Sequence, residues 1–195
     1  CESRFSKVHS RNRGGYLENM FNLGDKFFLN AGIRMNNHTN AGTRRTYKID
    51  TSYLFKTDSK IKGGWNTGLK APTLYQLNAA AIPFMFGGGN PDLAPEQNQT
   101  YEVGIEQGLF CDKLKLGTTY FHTQLKNLID SIYDPTTYFS SRYYNVGKAQ
   151  ISGFETSIII NPIKEINTEI GYTWQDTENK DTGDELLRRP INKVF

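Results

Sequence analysis

Few residues in this sequence have the type and spacing to do chemistry, and those few stand apart. His9, His38 and His122 are isolated on polar segments, so no pair has the spacing of zinc ligands, and an ordinary surface role is expected of each. Cys1 and Cys111 are too distant for a metal knuckle and too few for a disulfide framework. The stretch GGWNTGLK, residues 63–70, approaches a phosphate-binding loop but has Leu69 where the lysine belongs, and it reads as strand with no helix following. The acidic stretch DTENKDTGDE, residues 176–185, offers oxygen donors without the spacing of a calcium loop, so a solvated loop is expected there. Asn37 and Asn98 begin glycosylation sequons, which have meaning only in a eukaryotic secretory setting. No nucleophile elbow is present. The expectation is a protein without catalytic residues, without a metal of its own and without a resident cofactor, whose chemistry is that of binding.

The elements that must position any binding residues are strands. DKFFLNAGIRMNN places Phe27, Leu29, Ala31, Ile33 and Met35 on one face and Asn30, Gly32, Arg34 and Asn36 on the other. The same period of two recurs in residues 45–55, 60–70, 100–109, 150–160 and 166–174, and about nine strands are counted. One face is apolar and includes Leu29, Ile33, Val103, Ile105, Phe154 and Ile158. The other repeats charges: Arg34, Lys62, Glu102, Glu106 and Glu155.

Hydrophobic residues make up 37% and aromatic residues 13% of the 195, the mean hydropathy is -0.58, and the formal charge is +3. So polar a chain with so many aromatics implies a half-wetted sheet rather than one large core. The charges are mixed, so no nucleic-acid stripe stands out and no nucleic-acid partner is expected. No apolar run reaches the length of a membrane helix; residues 79–86 are the longest and include Pro83.

Connections predict the architecture. NLGD, KTDS, FCDK and NPIKE read as tight turns, whereas residues 37–44, 71–97, 132–141 and 177–188 read as long loops. Strict alternation of short turns and long loops, with one apolar and one polar face, predicts an antiparallel transmembrane β-barrel. Phe27, Phe55 and Phe110 beside the turns, and Tyr47, Tyr143 and Tyr144 beside the loops, suit two interfacial girdles. A soluble secreted carbohydrate-binding β-sandwich, with Trp65 and the tyrosines as stacking platforms, is the alternative in another class. A passive porin is the third reading.

The ordered motifs GLKAPTLYQL (68–77), GNPDLAPE (89–96), YEVGIE (101–106), NVGKAQISGFE (145–155) and LLRRP (186–190) resemble the barrel of a TonB-dependent outer-membrane receptor, and the resemblance is closest to the cobalamin branch. It implies a bacterial outer-membrane location and part of a 22-stranded barrel with a plugged lumen. Residues 1–195 are then expected to be a barrel fragment without the plug domain or the TonB box, and residues 71–97 an extracellular loop. The implied function is active uptake of a bulky metal chelate carrying cobalt or iron. Cobalamin is expected, with a siderophore or haem as alternative. Implied partners are the TonB complex through the plug, outer-membrane lipid and lipopolysaccharide. Tyr75, Phe84, Phe86, Tyr138 and Phe139 supply flat apolar surface for the chelate, and Arg142 and Asn145 hydrogen-bond its edges. Arg34, Lys62, Glu102, Glu106 and Glu155 face the plug.

Overall fold

Alternation along each strand and short connections between strands build a single meander. In the computed structural model residues 8–79, 88–111, 113–134, 140–163, 165–186 and 192–194 are described. The strands are β1 (Asn12–Leu23), β2 (Phe27–His38), β3 (Gly42–Leu54), β4 (Ser59–Lys70), β5 (Glu96–Leu109), β6 (Leu114–Asp134), β7 (Ser140–Ile163), β8 (Ile166–Asn179) and β9 (Asn192–Val194). All pair antiparallel with their neighbours in sequence, in one nine-stranded sheet. A sandwich would divide its strands between two packed layers; an uninterrupted meander is the up-and-down barrel pattern.

The register sorts side chains by chemistry across the whole sheet. Val103, Tyr120, Phe154 and Trp174 are successive cross-strand partners on one face. The Tyr120 and Phe154 rings lie 5.2 Å apart and those of Phe154 and Trp174 6.4 Å apart. On the opposite face Lys62, Gly104, Thr119, Glu155 and Thr173 form the neighbouring row. The apolar set Leu29, Ile33, Val103, Ile105, Phe154 and Ile158 shares one face, as expected.

Burial is inverted relative to a water-soluble sheet. Val103 is 55% exposed and Phe154 47%, whereas the buried hydrophobic residues among those described are Ala41, Leu77, Leu93, Val146, Ala149 and Leu186. None of these belongs to the apolar face of the lower strands. A contiguous apolar surface of this extent calls for a lipid or protein neighbour.

The connections correct part of the reading. Residues 37–44 are not a long loop: Asn36, Asn37 and His38 pair with Arg44, Thr43 and Gly42, leaving Thr39, Asn40 and Ala41 as the turn. Asn40 N donates to His38 Nδ1 at 3.1 Å and closes it. The expected loops at 132–141 and 177–188 also shorten, because β6 and β7 remain paired to Asp134 and Ser140 and β8 runs to Asn179. Above the apolar band a strand borders water on both faces, so polar residues there can pair like any others. The longest connection between described strands runs from Ala71 to Pro95, since Glu96 and Gln97 already pair with Lys70 and Leu69.

Candidate functional site

Two regions collect the residues that the sequence singles out. At the loop end, the described parts of the connection between β4 and β5, residues 71–79 and 88–95, fold into a platform. Pro72 ends the β4 ladder, and Thr73 caps a one-turn helix, α1 (Leu74–Asn78). The Gln76 backbone N–H donates to Thr73 Oγ1 at 3.2 Å, and the Thr73 N–H donates to Gln76 Oε1 at 2.9 Å, a reciprocal capping box. The sequence carries that signal as Thr-x-x-Gln; one turn is too short for helical periodicity to show.

Gly89 closes the platform. A Cβ there would lie 2.5 Å from Ala79 N and 2.6 Å from Asn78 N, so only glycine lets the returning chain cross the end of α1. Asn90 then joins three segments: its N–H donates to Gln76 O at 2.8 Å, its Nδ2 to Tyr143 O at 3.0 Å, and its Oδ1 accepts from Asp92 N at 3.0 Å. Leu77, Leu93 and Val146 are buried in the same end of the molecule.

Asn145 is the second clamp. Its Oδ1 accepts from Ala94 N at 2.9 Å, and its Nδ2 donates to Ala94 O at 3.0 Å and to Asn127 O at 2.8 Å. Its amide thus holds β7 against the platform and against β6. Glu96 Oε1 in turn accepts from Lys70 Nζ at 2.9 Å and Ile129 N at 3.2 Å, tying β4, β5 and β6 together.

On this scaffold Tyr75 is 55% exposed, and its ring meets that of Tyr143 edge-on at 6.2 Å. Arg142, one residue along from Tyr143, is exposed. The structure therefore brings Tyr75, Arg142 and Asn145 to one end of the sheet. Phe84, Phe86, Tyr138 and Phe139 lie outside the described residues. Gly89, Asn90 and Glu96, which the sequence shows only as part of the motif GNPDLAPE, do the positioning.

The second region is the polar face of the lower sheet. Lys60 Nζ and Lys62 Nζ both reach Glu106, at 3.0 and 2.8 Å. Lys62 lies across Gly104, whose missing side chain leaves the path open: a Cβ there would be 2.7 Å from Lys62 Cε. Glu155 borders the same groove as Lys62 and Glu106, and Glu102 lines an adjoining groove of about 470 Å³ with Lys60 and Lys62. Farther along, Lys48 bridges Asp50 at 3.1 Å and Glu18 at 3.7 Å. Arg34, whose Nε donates to Asn36 Oδ1 at 3.0 Å, borders a groove with Glu18 and Lys48. These ion pairs are more than a third exposed, so they bind weakly and can exchange partners with a hydrated neighbour. Among the described residues no cluster of three or more His, Cys, Asp or Glu side chains is placed to hold a metal ion.

Comparison with known proteins agrees with this geometry. The sequence matches the family described as TonB dependent receptor-like, beta-barrel, over residues 2–194. Among solved structures, the ferric enterobactin receptor PfeA of Pseudomonas aeruginosa is 25% identical with a TM-score of 0.79, over 99% of this chain and 31% of that one. The siderophore receptor PirA from the same organism is 24% identical with a TM-score of 0.73, over 86% of this chain and 32% of that one. The copper transporter OprC, 15% identical over 95% of this chain and 32% of that one, shares the fold with a TM-score of 0.77. The chain thus spans about a third of the length of the structures it matches.

Proposed function

The chain belongs to the TonB-dependent receptors, a family of bacterial outer-membrane β-barrels engaged in transport, and from that premise we propose that it forms barrel wall and an extracellular platform in a receptor for TonB-coupled uptake of a bulky metal chelate. The chelate is a ferric siderophore in preference to cobalamin. The observation that carries this reading is the likeness, across 99% of the chain, to a receptor named for ferric enterobactin. The three structures compared above are named for siderophores or copper, which favours the siderophore alternative over the cobalamin branch suggested by the motifs.

The residues have consistent roles in that reading. Tyr75 offers a flat apolar face and Arg142 a cation to an anionic chelate edge, with Phe84, Phe86, Tyr138 and Phe139 as further contacts on the same loops. Asn145, with its amide engaged in three backbone hydrogen bonds, acts by holding the platform. Arg34, Lys62, Glu102, Glu106 and Glu155 face a plug domain through exchangeable ion pairs, and that plug transmits the pull of TonB. Residues 71–79 and 88–95 form the platform on an extracellular loop, which sets the tight turns on the periplasmic side.

Equilibrium binding of ferric enterobactin, haem and cobalamin to the whole receptor in detergent tests the ligand class. Ferric enterobactin is expected to bind tightly, and Tyr75→Ala with Arg142→Ala to weaken it at least tenfold. Tight cobalamin binding with no siderophore binding would reverse the assignment. Uptake that persists in cells lacking TonB would overturn the coupling.

A further inference from the structure

Two neighbouring strands outrun the rest of the sheet. β1 to β5 and β8 run 12 to 14 residues, whereas β6 has 21 and β7 has 24. A tilted strand crosses a bilayer in about 9 to 11 residues, so the surplus, residues 128–134 paired with residues 140–146, stands clear of the membrane as an arm at the loop end. The ladder is broken at the base of that arm. Lys126 pairs with Lys148 and Leu128 with Val146, but Asn127 and Gly147 between them are unpaired. Asn127 has φ +56°, in the left-handed region. The other described non-glycine residues with positive φ, Asp58, Phe110 and Cys111, all sit in tight turns, so Asn127 alone among them lies inside a strand. Asn is one of the few L-residues that visit this region at modest cost, and a β-branched residue there is a true outlier.

The break is held from both strands. The Asn127 carbonyl leaves the ladder and accepts Asn145 Nδ2 at 2.8 Å, while the same Asn145 amide spans the N–H and C=O of Ala94. One side chain thus joins the base of the arm to the platform. Across from Asn127, the Asp181 carboxylate fills the room that a Gly147 side chain would take, 2.5 Å from its Cβ, and accepts the Lys148 N–H at 3.2 Å. Farther along, Ile129 N–H donates to Glu96 Oε1 at 3.2 Å, Asn90 Nδ2 to Tyr143 O at 3.0 Å and Tyr143 N–H to Gly88 O at 3.4 Å. Tyr143 and Asn145, two residues apart on one strand, share the face of the arm that meets the platform. The direction in which the arm leaves the wall therefore decides whether the Tyr143 ring reaches Tyr75, 6.2 Å away.

We infer that Asn127 is a positioning residue for the chelate site: its left-handed backbone sets the angle at which the arm leaves the barrel wall, and so holds Tyr143 against Tyr75. The inference rests on the reading of Tyr75 as a chelate contact given above. With an extended residue at 127 the ladder would close through Gly147, and the carbonyl would return to it. Asn145 would lose the partner that ties it to β6, and the arm would follow the line of the wall. Backbone geometry fixes the angle, so residues that tolerate positive φ serve as well as Asn.

The test uses the whole receptor in detergent with its native cysteines changed to Ser. Spin labels at Asp92→Cys on the platform and Ser131→Cys on the arm report their separation by double electron–electron resonance, and ferric enterobactin binding is measured on the same variants without labels. N127G and N127D are expected to keep the distance of the parent and to bind within about twofold of it. N127V should shift or broaden the distance and bind about tenfold more weakly. N145A breaks the clamp and leaves β6 itself unchanged, so it stands in for N127V should that variant not fold, with a broadened distance and weaker binding expected. A parent-like distance in N127V, or in N145A standing in for it, would overturn the inference. So would a shifted distance with unchanged affinity, or N127G binding as weakly as N127V. A parent that binds cobalamin and no siderophore would sink the ligand reading alone; the same variants are then compared with cobalamin, and the same outcomes decide for or against Asn127.

Discussion

On the polar face of the sheet Lys60 and Lys62 share Glu106, and Lys48 sits between Asp50 and Glu18, so these three cations meet carboxylates of their own wall. On the opposite face the same strands carry no charge through the apolar band and then set Lys126 against Lys148 with no anion between them. Both faces belong to the same sheet, so backbone pairing cannot account for the contrast. It reflects what each face meets. In the wall of a transmembrane barrel one face borders the wet interior and the other borders lipid.

The largest effect that would break this comparison is a charge placed on the wrong face. Val103→Lys, on the lipid face, should cost about 2 to 4 kcal/mol near the bilayer midplane. Ser157→Lys, facing the grooves with Glu106 and Glu155, should fall within about 0.5 kcal/mol. Urea-dependent folding of the whole receptor into vesicles measures both, and equal penalties would mean that the two faces are exchanged.

Next in size is Gly104→Val. The added side chain meets Lys62 Cε, Thr119 Oγ1 and the Thr118 carbonyl at 2.7 to 2.9 Å, and overpacking of this kind costs about 1 to 3 kcal/mol. Lys62 is the movable neighbour, so Gly104→Val combined with Lys62→Ala should recover part of the loss. A double variant no better than the single one would show that the backbone contact dominates.

These two faces were legible in the sequence because a barrel strand has lipid on one side and water on the other, and the period of two in Val103, Ile105 and Phe154 records that difference directly. What escaped lies above the lipid, where both sides are wet. Asn37 and His38 look like a loop by composition yet continue β2. The platform was visible only as a motif, GNPDLAPE, whose meaning is steric at Gly89 and depends on hydrogen bonding at Asn90 and Asn145. Asn145, read as a chelate contact, is occupied by three backbone partners because it must bridge segments some fifty residues apart, which no local pattern reports. The lysine row was equally hidden, since cross-strand partners acquire meaning only once the register is known.

A smaller effect sharpens the account of the polar face. Glu106→Gln removes the charge that two lysines share, and with those side chains 39% exposed each ion pair is worth about 0.2 to 1 kcal/mol. The difference between parent and variant should shrink as salt rises toward 1 M, where the screening length is about 3 Å. A salt-independent difference would mean that hydrogen-bond geometry, not charge, holds Lys62 in place.

The smallest effect concerns the opposite face, where like charges stand across from each other. Lys126→Glu places a carboxylate directly across from Lys148, replacing a like-charge pair by an opposite one. Cross-strand pairs of that kind contribute roughly 0.2 to 1 kcal/mol, so in a nonionic detergent free of lipid the variant should unfold at slightly higher urea than the parent. If Lys126→Glu is destabilising instead, the two lysines serve the fold as they stand and the contrast between the two faces ends at the lipid band.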